Sequence, residues 1–539
     1  MISEVLGLSL ADIFAKSLAD FKDRDAFSTI KKEKLTYRQF GDRVEILTQI
    51  FNNHGLKKGE KIAILGNNMP NWGVSYFAVT TSARVSVPIL PDFTAFEIAN
   101  IIEHSEASAI VVSEKLQYKL SKALLERFSL VVIMDTLEVS KSNSEVEQII
   151  NDFPEPSDIA TIIYTSGTSG TSKGVMLTHR NLVSQNYMAN KLMPMFKEDV
   201  FLSILPLSHA YECSLGLILP FSRGAQVVYL EGAPTPSLLL PALSEVKPTI
   251  MLSVPLIVEK LYKNKIRPIF TKNWIMQFLY SIHFIRRGFH KVAGKKLCQT
   301  FGGRLRFFGI GGSKLDGVVE KFLTDAGFPY SIGYGLTETS PLLAGAIPGK
   351  VTWQSTGPHL PDLEMKILNP NKKGIGEILV KGPNVMEGYY KDPDTTASCF
   401  TDDGWFRTKD LGYIDKKGNL FIKGRKDNMI VGPNGENIYP EEIEAVINEH
   451  DLVLESLVLN IKGKLTAIVH YNYEQIEKLH TFSEEAVVNM EQRVSEVKKE
   501  LIEYVNDRVN KSSRILDIIE QTIPFEKTAT QKIKRYLYS

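Results

Sequence analysis

Between Thr165 and Gly174 the chain reads Thr-Ser-Gly-Thr-Ser-Gly-Thr-Ser-Lys-Gly, a stretch of hydroxyls and glycines with a single lysine. Glycine lets a backbone fold inward and present its N–H groups, while serine and threonine hydroxyls add further donors. Lys173 brings one compact positive charge. Together these groups suit a polyphosphate, whose negative charge a backbone nest and a lysine can share. The nucleoside-triphosphatase loop needs G-x4-G-K followed by Ser or Thr. Gly167, Gly170, Lys173 and Gly174 do not have that spacing. A flexible Ser/Gly linker is the plainer reading. The β-branched run Ile159 to Tyr164 before the stretch and the regular run after it argue instead for a loop between ordered elements.

Four more places carry chemistry. Tyr334-Gly335-Leu336-Thr337-Glu338 offers an aromatic for stacking, a hydroxyl for a phosphate and a carboxylate for Mg²⁺, a hard ion that prefers oxygen. A capped helix start would explain the same residues. Gly309-Ile310-Gly311-Gly312-Ser313 follows an apolar strand, where small residues admit a flat ligand at the carboxyl edge of a parallel sheet. His209 sits in Pro-Leu-Ser-His-Ala-Tyr-Glu at another strand end, a setting in which a lone histidine is more often structural than catalytic. Near the carboxyl end, Lys527, Lys532 and Lys534 read on composition alone as a solvated basic segment.

In combination these stretches resemble the adenylate-forming superfamily of acyl-CoA synthetases, luciferases and peptide-synthetase adenylation domains. YTSGTSGTSKG is similar to that family's phosphate loop, usually YTSGTTGxPKG, with Ser169 and Ser172 replacing Thr and Pro. YGLTE matches YGxTE unchanged. GWFRTKD, ending at Asp410, resembles GWxxTGD with Lys409 in place of glycine, and KTATQK resembles KTxTGK with Gln531 in place of glycine. PLSHAYE and the insertion at 262–303 look like the bacterial long-chain fatty-acid–CoA ligase branch.

The resemblance assigns roles residue by residue. It implies that Thr165, Ser166, Gly167, Thr168, Ser169, Gly170 and Lys173 hold phosphates, and that Gly311, Gly312, Ser313, Tyr334 and Gly335 lie against adenine. Thr337 would contact the α-phosphate and Glu338 would coordinate Mg²⁺. Asp410 and Arg425 would reach the ribose, while His209 and Gly333 would border the acyl carboxylate. Asp427 would be a hinge, Gly435 part of a thiol tunnel and Lys532 the catalytic lysine of adenylate formation. The activity implied is ATP-dependent conversion of a fatty acid to acyl-AMP, then transfer to CoA. Acceptance by an acyl carrier protein, a luciferase-like or aryl-acid substrate, and an inactive acyl-binding protein on a membrane surface are the alternatives.

The rest of the chain must position these groups. With 539 residues it exceeds what one core supports, so at least two domains are expected. Apolar residues at 43% and charged ones at 23% describe an ordinary globular protein. A balance of 63 basic against 62 acidic residues gives no reason to expect nucleic acid. Cys213, Cys298 and Cys399 form no CxxC and fit packed thiols in a reducing cytoplasm. No leader-like start and no membrane-spanning run is read.

Strands at Lys61 to Leu65, Val85 to Leu90 and Ser108 to Val112 alternate with helices, and a second alternation runs from Phe201 to Ile310. Such alternation predicts an α/β fold with helix-covered parallel sheets. From Ser355 to Lys423 short strands broken by Gly, Asn and Asp predict a small bent β subdomain. Residues 1–424 are expected to form the adenylation domain and 425–539 a mobile α+β lid. Apolar positions 275, 278, 279, 282, 285 and 289, followed by Arg286, Arg287, His290, Lys291, Lys295 and Lys296, predict a basic amphipathic helix. It can lie on an anionic membrane or pack on the core.

Overall fold

The computed structural model describes residues 2–32, 34–143, 152–165, 172–432, 436–480, 490–528 and 532–539. Two eight-stranded sheets dominate it. In the first, Tyr330–Gly335, Phe307–Ile310, Ile250–Ser253, Val200–Ser203, Gln226–Tyr229 and Asp25–Thr29 run parallel. Leu342–Gly345 and Lys34–Thr36 close its edges antiparallel. In the second, Ile159–Thr165, Val85–Ile89, Lys61–Leu65, Ala109–Val112 and Leu130–Ile133 run parallel. Its antiparallel edges are Lys173–Thr178 with Gly388–Tyr389 on one side and Glu138–Ser142 on the other.

Helices fill the space between the two sheets, and their sequences show why. Pro70–Thr81 buries every residue from Asn71 to Thr80, so it is apolar on all sides, as a helix inside a core must be. Its proline stands at the first turn, where no amide partner is lost. His179–Leu192 starts at Thr178, whose hydroxyl accepts from the Asn181 amide while the Asn181 side chain reaches back to the Thr178 amide. That reciprocal cap fixes where the strand Lys173–Thr178 ends and the helix begins. Trp72, Tyr76, Phe77, Phe40, Phe27 and Phe221 are buried in the common core between the layers.

The small bent subdomain is a four-stranded antiparallel sheet, Glu364–Leu368, Gly376–Lys381, Phe406–Ile414 and Leu420–Arg425. Beyond it a separate unit builds its own core. Val453–Ile461, Lys464–Tyr471 and Asp517–Glu520 form a three-stranded sheet. Helices Pro440–Asn448 and Met490–Asn506 pack on it through residues such as Ile443, Ile447, Val497 and Leu501. None of that core's residues belongs to the two larger clusters.

The structure departs from the sequence reading in two respects. The sheets are mixed at their edges, because hairpins finish what the parallel crossovers begin. The single helix expected from position 275 onward is two helices, Trp274–Ser281 and His283–Thr300, broken at Ile282 in an extended conformation. The break turns Tyr280 inward, where its hydroxyl lies 2.7 Å from His290 Nε2 and its ring stacks 5.0 Å from Phe270. A one-residue break barely disturbs helical spacing, so periodicity alone does not reveal it.

Cys213 and Cys399 are buried, Cys298 is half-buried and all three thiols are free. Among the described residues no helix is long and apolar enough to cross a membrane.

Candidate active site

The chemistry-bearing residues gather at the carboxyl ends of the parallel strands, the usual ligand crevice of such sheets. Tyr334 and Gly335 complete the strand Tyr330–Gly335, and Thr337 and Glu338 follow on a single 3₁₀ turn. That turn is braced from below: the Asn384 amide donates to the Thr339 carbonyl at 2.8 Å, and the Met386 N–H to the Glu338 carbonyl at 2.8 Å. Gly335 has no alternative there, since a Cβ would lie 1.8 Å from the Pro341 carbonyl oxygen.

The small sheet supplies the second wall. Tyr334 donates its hydroxyl to Asp410 Oδ2 at 2.7 Å, and Arg425 Nε lies 3.0 Å from Asp410 Oδ1. Register sets this up, because Asp410 and Arg425 face each other across neighbouring antiparallel strands. Burial pushes the Asp410 carboxyl up, while the Arg425 guanidinium, the Tyr334 hydroxyl and Lys532 pull it down. Asp410 in turn holds the guanidinium charged.

Lys532 enters from the separate unit. Its backbone is pinned beside Thr528 by two hydrogen bonds, and the neighbouring Ile533 pairs with Lys527. The residue is exposed. Its amino group is nonetheless close enough to protein that desolvation lowers its pKa. Arg425 adds to that shift, and Asp410 and Glu338 oppose it. Of the three competing lysines, Lys527 is turned away and pairs with Glu455.

His209 caps the short helix Ala210–Glu212, accepting the Tyr211 N–H on Nδ1 at 3.2 Å. That bond leaves the imidazole proton on Nε2. Burial, assisted by the Lys532 charge, depresses its pKa to about 4, so the ring is a neutral donor at physiological pH. Tyr211 next to it lies over the glycine run. A Cβ on Gly309 would meet its hydroxyl at 3.1 Å and one on Gly311 its ring at 3.2 Å. Those two glycines thus admit a protein ring, and Gly312, at φ +93°, makes the turn towards Ser313. Gly333 and Gly309 border an apolar cavity of about 20 Å³ lined by Leu192, Met193, Leu252 and Leu342.

Glu212 underlies this helix, fully buried at the start of a π-helical segment, Cys213–Ile218. Ser203 donates to one of its oxygens at 2.5 Å. Gly216 makes room, as a Cβ there would sit 2.7 Å from the carboxyl carbon. Burial raises the Glu212 pKa to about 8. The folded protein therefore holds a proton that the unfolded chain releases, so stability falls as pH rises from the ordinary carboxyl range through about 8. Glu212→Gln should consequently raise the thermal midpoint at pH 8.5 more than at pH 5. A midpoint gain that is the same at both pH values would count against this assignment.

Thr165 and Lys173 face each other at the mouth of the hairpin. Ser166, Gly167, Thr168, Ser169 and Gly170 lie outside the described residues, as does Gly435. Lys173 Nζ stands 5.3 Å from the centre of the Tyr389 ring, whose hydroxyl donates to Glu338 Oε1 at 2.8 Å. Tyr389 was not singled out by the sequence reading, yet it joins the loop lysine to the Glu338 carboxylate. The aromatic pair in Glu-Gly-Tyr-Tyr was its only local signal. Among the described residues no cluster of three or more His, Cys, Asp or Glu could hold a metal ion. A lone carboxylate suits Mg²⁺ well, because that ion takes one or two protein oxygens and completes its shell with phosphates and water.

Asp427 sits in the middle of the turn Lys426–Asn428, between the small sheet and the separate unit. Lys409 Nζ reaches 4.0 Å from its Oδ2. Lys409 itself has φ +59°. It therefore keeps the left-handed backbone that glycine adopts freely and a lysine adopts at a cost. Lys409→Gly should stabilise the body of the protein by about 1 kcal/mol in denaturant titration, since an exposed ion pair returns little. A loss of stability would show that the pairing with Asp427 outweighs the backbone term.

Sequence comparisons agree with this geometry. The profile of the AMP-binding enzyme family matches residues 14–390. Long chain acyl-CoA synthetase 6, a peroxisomal protein of Arabidopsis thaliana, is 30% identical over 86% of this chain and 73% of its own. A chloroplastic long-chain-fatty-acid–[acyl-carrier-protein] ligase of the same plant is 28% identical over 87% of this chain and 77% of its own. The crystal structure of ATP-bound MatB from Rhodopseudomonas palustris superposes with a TM-score of 0.77 at 23% identity, covering 98% of both chains, a likeness of fold. The chain belongs to the AMP-binding enzyme family, alongside the long-chain acyl-CoA synthetases.

Proposed function

We propose that this protein is an AMP-forming ligase that activates a long-chain fatty acid with ATP and transfers the acyl group to CoA. The observation that supports the reading is that Lys532, from a separately built unit, comes within electrostatic range of Asp410, Arg425, Glu338 and His209. In the first step a carboxylate oxygen attacks the α-phosphorus of ATP and pyrophosphate leaves. Two anions must meet, so fixed positive charge and donors supply most of the acceleration. Lys532, Lys173 and the hydroxyl loop 165–170 share the phosphate charge, and Thr337 donates to the α-phosphate. Glu338 would hold Mg²⁺, which neutralises phosphate charge when bound.

Tyr334 and Gly312 take the adenine, with Ser313 at the rim. Asp410 accepts from the ribose hydroxyls while Arg425 keeps it in place. His209 donates from Nε2 to the acyl carboxylate beside Gly333. Its neutrality spares the carboxylate a charge partner that would blunt its nucleophilicity. The cavity at Gly333 has room for little more than a water, so an acyl chain enters by displacing Leu192 and Met193, flexible side chains suited to that.

In the second step residues 425–539 turn as a lid about Asp427, withdrawing Lys532 and bringing Gly435 to a path for the thiol. Sulfur attacks the acyl carbon, AMP departs and the thiol proton is lost. ATP–pyrophosphate exchange across acids from acetate to oleate tests the first step, and CoA-dependent AMP release tests the second. Exchange with no acid would sink the reading. The acyl carrier protein is the second acceptor to try, on the strength of the plant relative; product formation with CoA alone decides between them.

A further inference from the structure

The two helices Trp274–Ser281 and His283–Thr300 leave a face that none of the described residues covers. No residue of the first is buried. Phe284 is 85% exposed, Trp274 76% and Phe278 63%, with Ile275 and Ile282 exposed beside them. Their inner side is fastened: Phe270 stacks on Tyr280, Tyr280 meets His290, and His290 Nδ1 lies 3.2 Å from buried Asp325. The outward aromatics are thus presented by anchored helices rather than by a loose loop.

Charge is as lopsided as polarity. From Lys260 to Leu315 the sequence holds thirteen basic residues and no acidic one, so the remainder of a chain of net charge +1 carries −12. Lys263 and Arg267 contact the separate unit. Lys272, Lys291, Lys295 and Lys296 are exposed, and among the described residues no acid pairs with them. A helical face with exposed Trp and Phe amid lysines matches the interface of an anionic bilayer, where rings enter the acyl boundary and lysines meet phosphate headgroups. A second copy would bring two such basic faces together, which like-charge repulsion opposes.

We propose that this face docks the protein peripherally on anionic phospholipid. Co-sedimentation with vesicles of phosphatidylcholine containing about one third phosphatidylglycerol, an anionic surface of the kind lysines meet, against pure phosphatidylcholine, tests it. Binding is expected only to the anionic vesicles, with a blue shift in tryptophan emission that Trp274→Phe removes. Lys291→Gln, Lys295→Gln and Lys296→Gln combined should weaken partitioning about a hundredfold, and Phe278→Ser with Phe284→Ser about tenfold or more. Pyrophosphate exchange with a water-soluble acid, retained in all variants, excludes misfolding. Three results would overturn the proposal: equal binding to pure phosphatidylcholine, binding indifferent to these substitutions, or a dimer that the Phe substitutions dissociate. Capture by an acidic carrier protein without vesicle binding would do the same.

Discussion

Lys532→Ala is expected to cut adenylate formation by about 10²–10³-fold, the loss typical of removing one fixed donor from a developing anion. Thioester formation from supplied acyl-adenylate should stay within about tenfold of the parent. The asymmetry follows from where Lys532 stands. It lies within electrostatic range of Asp410, Arg425 and Glu338 in the arrangement seen here, and partial desolvation makes the ammonium costly unless a phosphate compensates it. With the nucleotide tail gone as pyrophosphate, that charge has no further partner to stabilise. Stopped assays of each half-reaction measure the two rates separately. Equal losses in both would remove Lys532 from its role in the first step.

Asp427→Pro should give the mirror image. Asp427 occupies the middle of a three-residue turn, and a proline ring there narrows the backbone angles open to it. The first step needs only the arrangement already described and should persist. The second needs the turn to change, and a shift of the equilibrium against that state lowers the rate in proportion to its lost population, about a hundredfold for a few kcal/mol. Unchanged thioesterification would show that the pivot lies elsewhere.

Much of this was legible in the residues because local chemistry dictates it. The β-branched run before the glycine loop could be little else than a buried strand, and the alternation of strands with helices announced the parallel sheets. The order of the short motifs points to the nucleotide crevice proposed above. What escaped were the relations between distant segments. Nothing near Tyr389 says that its strand will pair with Lys173–Thr178 and set a phenol between Lys173 and Glu338. Nor does Lys409 declare its left-handed backbone, since that conformation is imposed by the strands on either side. The glycines at 309 and 311 were readable as small but not as the seat of Tyr211, because the ring arrives from another strand end. Periodicity likewise misses a single extended residue at Ile282.

The isolation of the core around Ile443, Ile447 and Leu501 has a consequence for how the protein divides its labour. A unit whose main core is spent internally can swing away wetting little more than Tyr439, which packs on Ile375 and Leu411 of the small subdomain. What ties it down is largely polar: Lys423 to Glu442 at 2.6 Å, Arg267 to Asp451, and Lys263 to the Asn448 carbonyl at 2.6 Å. Such ties weaken as ionic strength rises, while the two halves themselves stay intact. Electrolyte alone should therefore tilt the partition between making the mixed anhydride and consuming it, turning the bath into a crude throttle on the catalytic cycle.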